Sequence, residues 1–281
     1  MLRALERNIA LLGERLVLLA PSADCVSNLF ANVDVNPGWH AERLREAQRF
    51  RGGIYVQDGA LETTQLAPDG AHVGPEDDKS WHMLLVGADG RLKACAFYLE
   101  HPNTVSAKCL RVRHSPLAHH PEWKGRLWEA MESELERARR DQLHYVEVGG
   151  WAVAEDSRGT SGPMMLALAV YGFSRRCRGV LGMTTATFRH CSSTILKRLG
   201  GARFESDGCA FPAYYDPRYN CLMEMLRFDS REPNPKYVGY IDLLREKLAD
   251  VRVVTKPVTA ELDDANLWEW HRSSAQPSFA N

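Results

Sequence analysis

Residues 145–173, YVEVGGWAVAEDSRGTSGPMMLALAVYGF, decide how the rest of the chain is read. An apolar run rich in Val, Tyr and Trp reads as a strand over 145–154. The segment DSRGTSG comes next, and then an unbroken run of small and apolar residues with the length of a helix. A strand that turns through glycines straight into a helix gathers backbone N–H groups at the positive end of the helix dipole. That is a site for phosphate or pyrophosphate. Arg158 adds a charge-assisted contact. Gly159 and Gly162 allow close backbone approach, Thr160 and Ser161 complete the turn, and Pro163 suits the first helical position. The lysine of a P-loop and the GxGxxG spacing of a dinucleotide site are both absent. Alone, such a turn is also an ordinary surface connection; the order of elements around it favours the binding reading.

Within the strand, Gly149 and Gly150 mark either a bulge or a packing site under a bulky neighbour. A bulge there splays the sheet and opens a slot. Without one, alternation places Tyr145, Glu147, Gly149, Trp151 and Val153 on one face. A glutamate inside an apolar strand is costly unless paired or functional. Glu147 is therefore a candidate base, directly or through a water, or the partner of an arginine between residues 43 and 51.

Working outward, Leu5, Ile9, Leu12, Leu16 and Leu19 recur at helical spacing. The stripe fits packing on the domain or a homodimer contact. A helix is expected over 40–49, a short strand over 53–57 and a long surface loop over 58–79. WHMLLVGADGRLKACAFYLEH, 81–101, is a hairpin about Asp89-Gly90, and a third strand is expected over 108–114. Leu127, Trp128, Met131 and Leu135 stripe a helix after Pro121. Then come a strand over 182–188, a helix over 191–199 stopped by Gly200-Gly201, a strand over 220–229 and a helix over 237–250. Residues after about 255 read as a loosely held tail. The layout is α+β with a central mixed, mostly antiparallel twisted sheet flanked by helices. It divides into an N-terminal helical extension (1–38), one main domain (39–230) and a C-terminal helix and tail (231–281).

The chain has 281 residues and a formal net charge of −1, so no global field recruits nucleic acid or an anionic membrane. Charges interrupt the Leu-rich start, which excludes a membrane span there. Seven cysteines without a CxxC pair fit neither a zinc site nor a disulfide framework, and point to reduced thiols in a cytoplasmic protein. No metal is expected. Arg175, Arg176 and Arg178 suit a helix C-terminus and stand about 20 Å from the anion turn at 1.5 Å per residue.

The 145–173 stretch resembles the acyl-CoA-binding core of the GNAT acyltransferase superfamily: a strand ending in AV, a short acidic turn, an Arg/Gly loop and a long helix. TTATF (184–188) and the helix ending in LKRLGGARF (196–204) are similar to the next strand and helix of that family. The resemblance covers about residues 40–230. Within it, AERLREAQRFRGGIYVQDGA (41–60) and EVGGWAV (147–153) look like the acyl-homoserine lactone synthases and long-chain N-acyl amino acid synthases. Glu147 stands in the glutamate position, and Glu76, Asp77 and Asp78 are similar to acidic residues ahead of their next strand. Gly150 and Tyr98 stand where these enzymes have arginines that organise the acceptor side. Ser161 and Pro163 stand where Gly or Ala is common in the loop, and Leu196 where many acetyltransferases have an acid tyrosine.

The resemblance implies transfer of an acyl group from acyl-CoA or an acyl-carrier protein to the amine of a small molecule such as an amino acid. One backbone N–H among those of Trp151, Ala152, Val153 and Ala154 meets the oxyanion, and pantetheine pairs with that strand edge. His82 is a second base candidate and Tyr98 a proton donor or orienting group; for both, a hydrogen-bonded core role is the alternative. A non-catalytic acyl-CoA-binding sensor or interaction module on the same fold is the competing reading.

Overall fold

A computed structural model describes residues 16–26 and 28–257. Its strands are β1 (Leu16–Leu19), β2 (Val33–Val35), β3 (Trp81–Val86), β4 (Leu92–His101), β5 (His144–Val153), β6 (Val180–Thr187), β7 (Ala202–Arg203), β8 (Glu205–Ser206), β9 (Cys209–Ala210), β10 (Tyr214–Asp216), β11 (Cys221–Asp229) and β12 (Arg252–Thr255). The α-helices are α1 (Pro37–Gln57), α2 (Lys124–Arg140), α3 (Gly162–Arg176), α4 (Ser192–Leu199) and α5 (Val238–Lys247). One sheet runs β10-β11-β6-β5-β4-β3-β1-β12-β2, with β7 also on β11. Pairing is antiparallel except for β5–β6, β1–β12 and β12–β2. The expected α+β layout, with a mixed and mostly antiparallel sheet, is the one that forms.

Helices α3 and α5 pack on one face around Met83, Tyr98, Val146 and Phe173. On the other, α2 packs over Tyr145 and Met183, and α1 over Leu84, Cys95 and Ala152. Fully burying each such side chain contributes roughly 1.5–3 kcal/mol.

Three local expectations change, and one strand appears where none was expected. Leu16 and Leu19 lie on a strand, because LVLL is buried on both faces between β3 and β12; Leu5, Ile9 and Leu12 lie outside the described residues. Residues 53–57 continue α1 instead of forming a strand. Gly52 does not stop the helix but lets it pack: a Cβ there would sit 2.4 Å from the carbonyl oxygen of Gly70 and 3.1 Å from the nitrogen of His72. Residues 108–114 are not a strand but part of three successive 3₁₀ turns, Ala107–Cys109, Arg111–His114 and Pro116–His119. Two of their backbone N–H groups, those of Arg111 and Val112, go to the Glu147 carboxylate instead of a ladder. Residues 252–255 form β12, inside the sheet; the tail expected beyond them lies, from residue 258, outside the described residues. The hairpin about Asp89-Gly90 forms as read.

Candidate active site

The parallel pairing of β5 with β6 runs from His144↔Val180 to Glu147↔Met183 and stops, although β5 continues to Val153 and β6 to Thr187. On its other edge β5 is bulged. Phe97 pairs with Gly149, and Cys95 already pairs with Ala152, so Gly150 and Trp151 together oppose Ala96. Gly150 takes φ +64°, and a Cβ there would lie 2.6 Å from Phe97 Cδ1 and 3.0 Å from Arg51 Nη1. Only glycine combines that backbone with that space. The bulge also reverses the strand's faces. Tyr145 packs toward α2 before it, and Ala152 packs toward α1 after it while Trp151 and Val153 turn to the α3 side. The single face expected for residues 145–153 is therefore split.

Between the parted strands lies a cavity of about 780 Å³. Its wall on the α1 side carries polar groups, Arg51, Tyr55, His72, Arg111, Arg218 and Tyr219, beside Ile54 and Phe97. On the α3 and α4 side it is apolar, with Met164, Ala167, Val170, Ile195, Leu196 and Phe228.

Glu147 stands on the wall where the strands part, 4 % exposed. Its carboxylate accepts the backbone N–H groups of Arg111 (2.8 Å) and Val112 (3.2 Å), and His101 Nε2 lies 3.0 Å from Oε2. The expected arginine partner goes elsewhere. Arg51 pairs at 2.6 Å with Asp77, both nearly sealed from solvent. Gln48 and the Gly74 N–H also donate to that carboxylate. Burial pushes the Asp77 carboxyl up, but the charge and hydrogen bond of Arg51 outweigh it and hold it below its ordinary value.

His82 and Tyr98 are not on the cavity wall. His82 is buried on β3 with Nε2 2.8 Å from the carbonyl oxygen of Asp77, and burial lowers its pKa to about 4. Tyr98 is fully buried, edge-on to Phe173 at 5.1 Å and 3.4 Å from Ser174 Oγ. Both take the core role that alternation in an apolar strand also allows.

The turn after β5 is partly closed on itself. The N–H groups of Arg158 and Thr160 donate to Glu155 and Ser157, and that of Gly162 to Thr160 Oγ1. Arg158 Nη2 contacts both oxygens of Asp58 at 2.9 and 3.0 Å. Gly159 has φ +79° and open space around it. Arg158, Gly159, Thr160 and Pro163 join the cavity wall; Ser161 and Gly162 sit behind it at the start of α3. Trp151, Ala152 and Val153 also line the wall, whereas the Ala154 N–H is taken by the carbonyl of Lys93 at 2.9 Å. Alternation then aims the Val153 N–H the other way, into the gap. The indole Nε1 of Trp151 is buried with no hydrogen-bond partner among the described residues.

Several wall residues escape a reading by local pattern: Arg51, Asp58, His72, Arg111, His190 and Tyr219. Their shared signal is a polar side chain beside a glycine or turn, which becomes informative only once the splay brings them together. Arg175 and Arg176 tie α3 to Asp242 and the Leu29 carbonyl, as a helix C-terminus allows.

No helix among the described residues is long and apolar enough to cross a membrane, and no group of three His, Cys, Asp or Glu among them is placed to hold a metal. No protein-family profile matches the sequence, and no curated protein sequence matches it. Among solved structures, the chain superposes on a CoA-dependent acyl-homoserine lactone synthase, BjaI, with SAM and isopentyl-CoA. The TM-score is 0.52 at 14 % identity, covering 87 % of this chain and 94 % of that one. FeeM, an N-acyl amino acid synthase from uncultured soil microbes, matches at TM-score 0.44 and 13 % identity over 71 % of this chain and 89 % of its own. Over the length matched to the lactone synthase, the chain has the fold of that synthase, a GNAT-like α+β fold with a mixed, mostly antiparallel sheet flanked by helices.

Proposed function

We propose that the protein is an N-acyltransferase that moves an acyl group from a CoA or carrier-protein thioester to the amine of a small molecule, an amino acid or a related metabolite. The observation that carries this reading is the cavity through the parted β5 and β6, polar on one side of the sheet and apolar on the other. The apolar side suits an acyl chain and the polar side an amine acceptor, so the thioester carbonyl falls at the level of the bulge. The free edge of β5 offers pantetheine amides a strand to pair with. The Val153 N–H and the Trp151 indole supply donors to the oxyanion, in a site shielded enough for each to count. Holding donor and acceptor on the two sides of one opening supplies the positional advantage. Glu147, where the strands part and backed by His101, takes the proton from the attacking amine, directly or through a water.

Replacing Glu147 with Gln should slow transfer by about 10²–10⁴-fold and cost about 1–2 kcal/mol from its two backbone donors. Thiol release from an acyl-CoA chain-length series with an amine panel, and unfolding curves of both proteins, measure the two effects. Turnover equal to the parent's would remove Glu147 from the chemistry. A second reading, an acyl-CoA-binding module without transfer, draws on Arg158 being held by Asp58 and on Gly150 and Tyr98 at the acceptor-side positions. It expects saturable binding of CoA esters with no amine consumed.

A further inference from the structure

At the mouth of the cavity the last turn of α1 reaches across to three other segments. Gln57 Nε2 donates to Glu155 at 2.7 Å, ahead of Arg158. Asn220 Nδ2 donates to the Gly59 carbonyl at 3.2 Å. Between these two ties, Asp58 takes Arg158 on one oxygen pair and has His190 Nε2 at 3.2 Å from Oδ1. The carboxylate is only 12 % exposed, and all three residues line the cavity. Beside them Arg189 spends Nη2 on the Asn220 carbonyl at 2.9 Å, while its Nη1 is buried on the same wall without a hydrogen-bond partner among the described residues. A buried guanidinium N–H left unpaired is costly. One carboxylate thus serves both Arg158 and His190, and the neighbouring Arg189 keeps a donor that has no acceptor among the described residues.

Resting on the reading that this cavity takes the acyl donor, we propose that Asp58 is an internal stand-in for a phosphate. Its carboxylate holds Arg158 and His190 until the phosphate of a phosphopantetheine-bearing thioester displaces it and takes both groups together with the spare Nη1 of Arg189. A phosphate ester carries more charge and more acceptor oxygens than one carboxylate, so it satisfies all three groups where Asp58 satisfies two. Arginine's planar fork suits such an exchange. Because the carboxylate is tethered beside its partners, it competes with every donor molecule, and the apparent affinity is lowered by the fraction of chains in which the clasp is closed.

Calorimetric titration of the full-length protein with CoA, 4′-phosphopantetheine and pantetheine tests this. Asp58→Asn should bind CoA about tenfold more tightly and leave pantetheine unchanged. An equal gain for 4′-phosphopantetheine assigns the exchange to the phosphate on pantetheine; a gain for CoA alone assigns it to the nucleotide phosphates. Arg189→Gln should weaken CoA about tenfold without touching pantetheine, and stands as the test should Asp58→Asn fail to fold. An Asp58→Asn protein that binds CoA no more tightly than the parent, or gains equally for pantetheine, overturns the exchange and leaves the transferase reading intact. A parent protein that binds none of the three sinks the donor reading and the exchange with it.

Discussion

Up to Glu147, β5 lies against β6 in parallel register; beyond it the same two strands part and the cavity takes up the space between them. In the closed part Val146 and Leu181 are fully buried, and Gly182 admits Val146 and Phe228 so closely that a Cβ would sit 2.4 Å from one and 2.6 Å from the other. In the open part β5 has two glycines, and β6 brings Thr184, Thr185 and Thr187 to the cavity wall, the last with its hydroxyl donating to the Arg189 carbonyl at 3.0 Å. One pair of strands thus keeps its packing at one end and its chemistry at the other. Neither end is suited to the other's task, since close packing leaves no space and open edges bury little.

The largest effect should fall on the closed end. Leu181→Ala removes a fully buried side chain and is expected to cost about 2–5 kcal/mol in urea unfolding. CoA affinity should stay within about twofold, because distant sites act independently. An affinity that falls in step with stability would mean the two ends are one cooperative unit.

Two imidazoles sharpen the contrast. His82 is sealed in β3 and His72 lines the open cavity, yet both are lowered to about 4, by burial first and, for His72, next by the charge of Arg51. In each case the unfolded chain binds the proton more readily, so their contribution is complete above the unfolded value near 6.5 and is lost as pH falls from there toward 4. For His82 the loss is of order 3 kcal/mol. His82→Gln should flatten the decline in urea midpoint between pH 6.5 and 4, at whatever stability it starts from. A slope equal to the parent's would show that the imidazole already titrates as in the unfolded chain.

The same division explains how much the sequence discloses. The hairpin about Asp89-Gly90 and the passage from Glu147 through the Arg158 turn into α3 are legible because each is decided by neighbours in the chain: turn residues, periodicity, a helix start. The strands β1, β2 and β12 are not. LVLL extends a helical spacing, and only pairing with β3 on one edge and with Arg252–Thr255, more than two hundred positions away, on the other makes it a strand. The course of α1 through Gly52 depends on the Gly70 carbonyl, and the turns at Arg111–His114 depend on the Glu147 carboxylate. Glu147 is visible as an acid in an apolar strand, but its partners are not. Asp58 carries no sequence signal, since its role exists only where α1, the β5–α3 turn and the β6–α4 turn converge.

The finest test compares two glycines with left-handed backbone, one at each side of the opening. Gly150 has φ +64° and Gly159 φ +79°; a Cβ at Gly150 meets Phe97 at 2.6 Å, whereas one at Gly159 meets nothing within 4 Å. Both alanine variants bear the left-handed cost of about 1 kcal/mol. Gly150→Ala adds crowding of about 1–2 kcal/mol, so it should be the less stable of the two. Gly159→Ala should lose little beyond the backbone cost, and its methyl projects into open space beside Arg158. If that turn cradles the donor's phosphate, CoA affinity should drop about tenfold for this mild change in stability, while pantetheine affinity stays put. An affinity that tracks only the backbone cost would move the cradle away from the turn and onto the side chains of Arg158, Arg189 and His190, because a methyl cannot reach past the backbone it sits on.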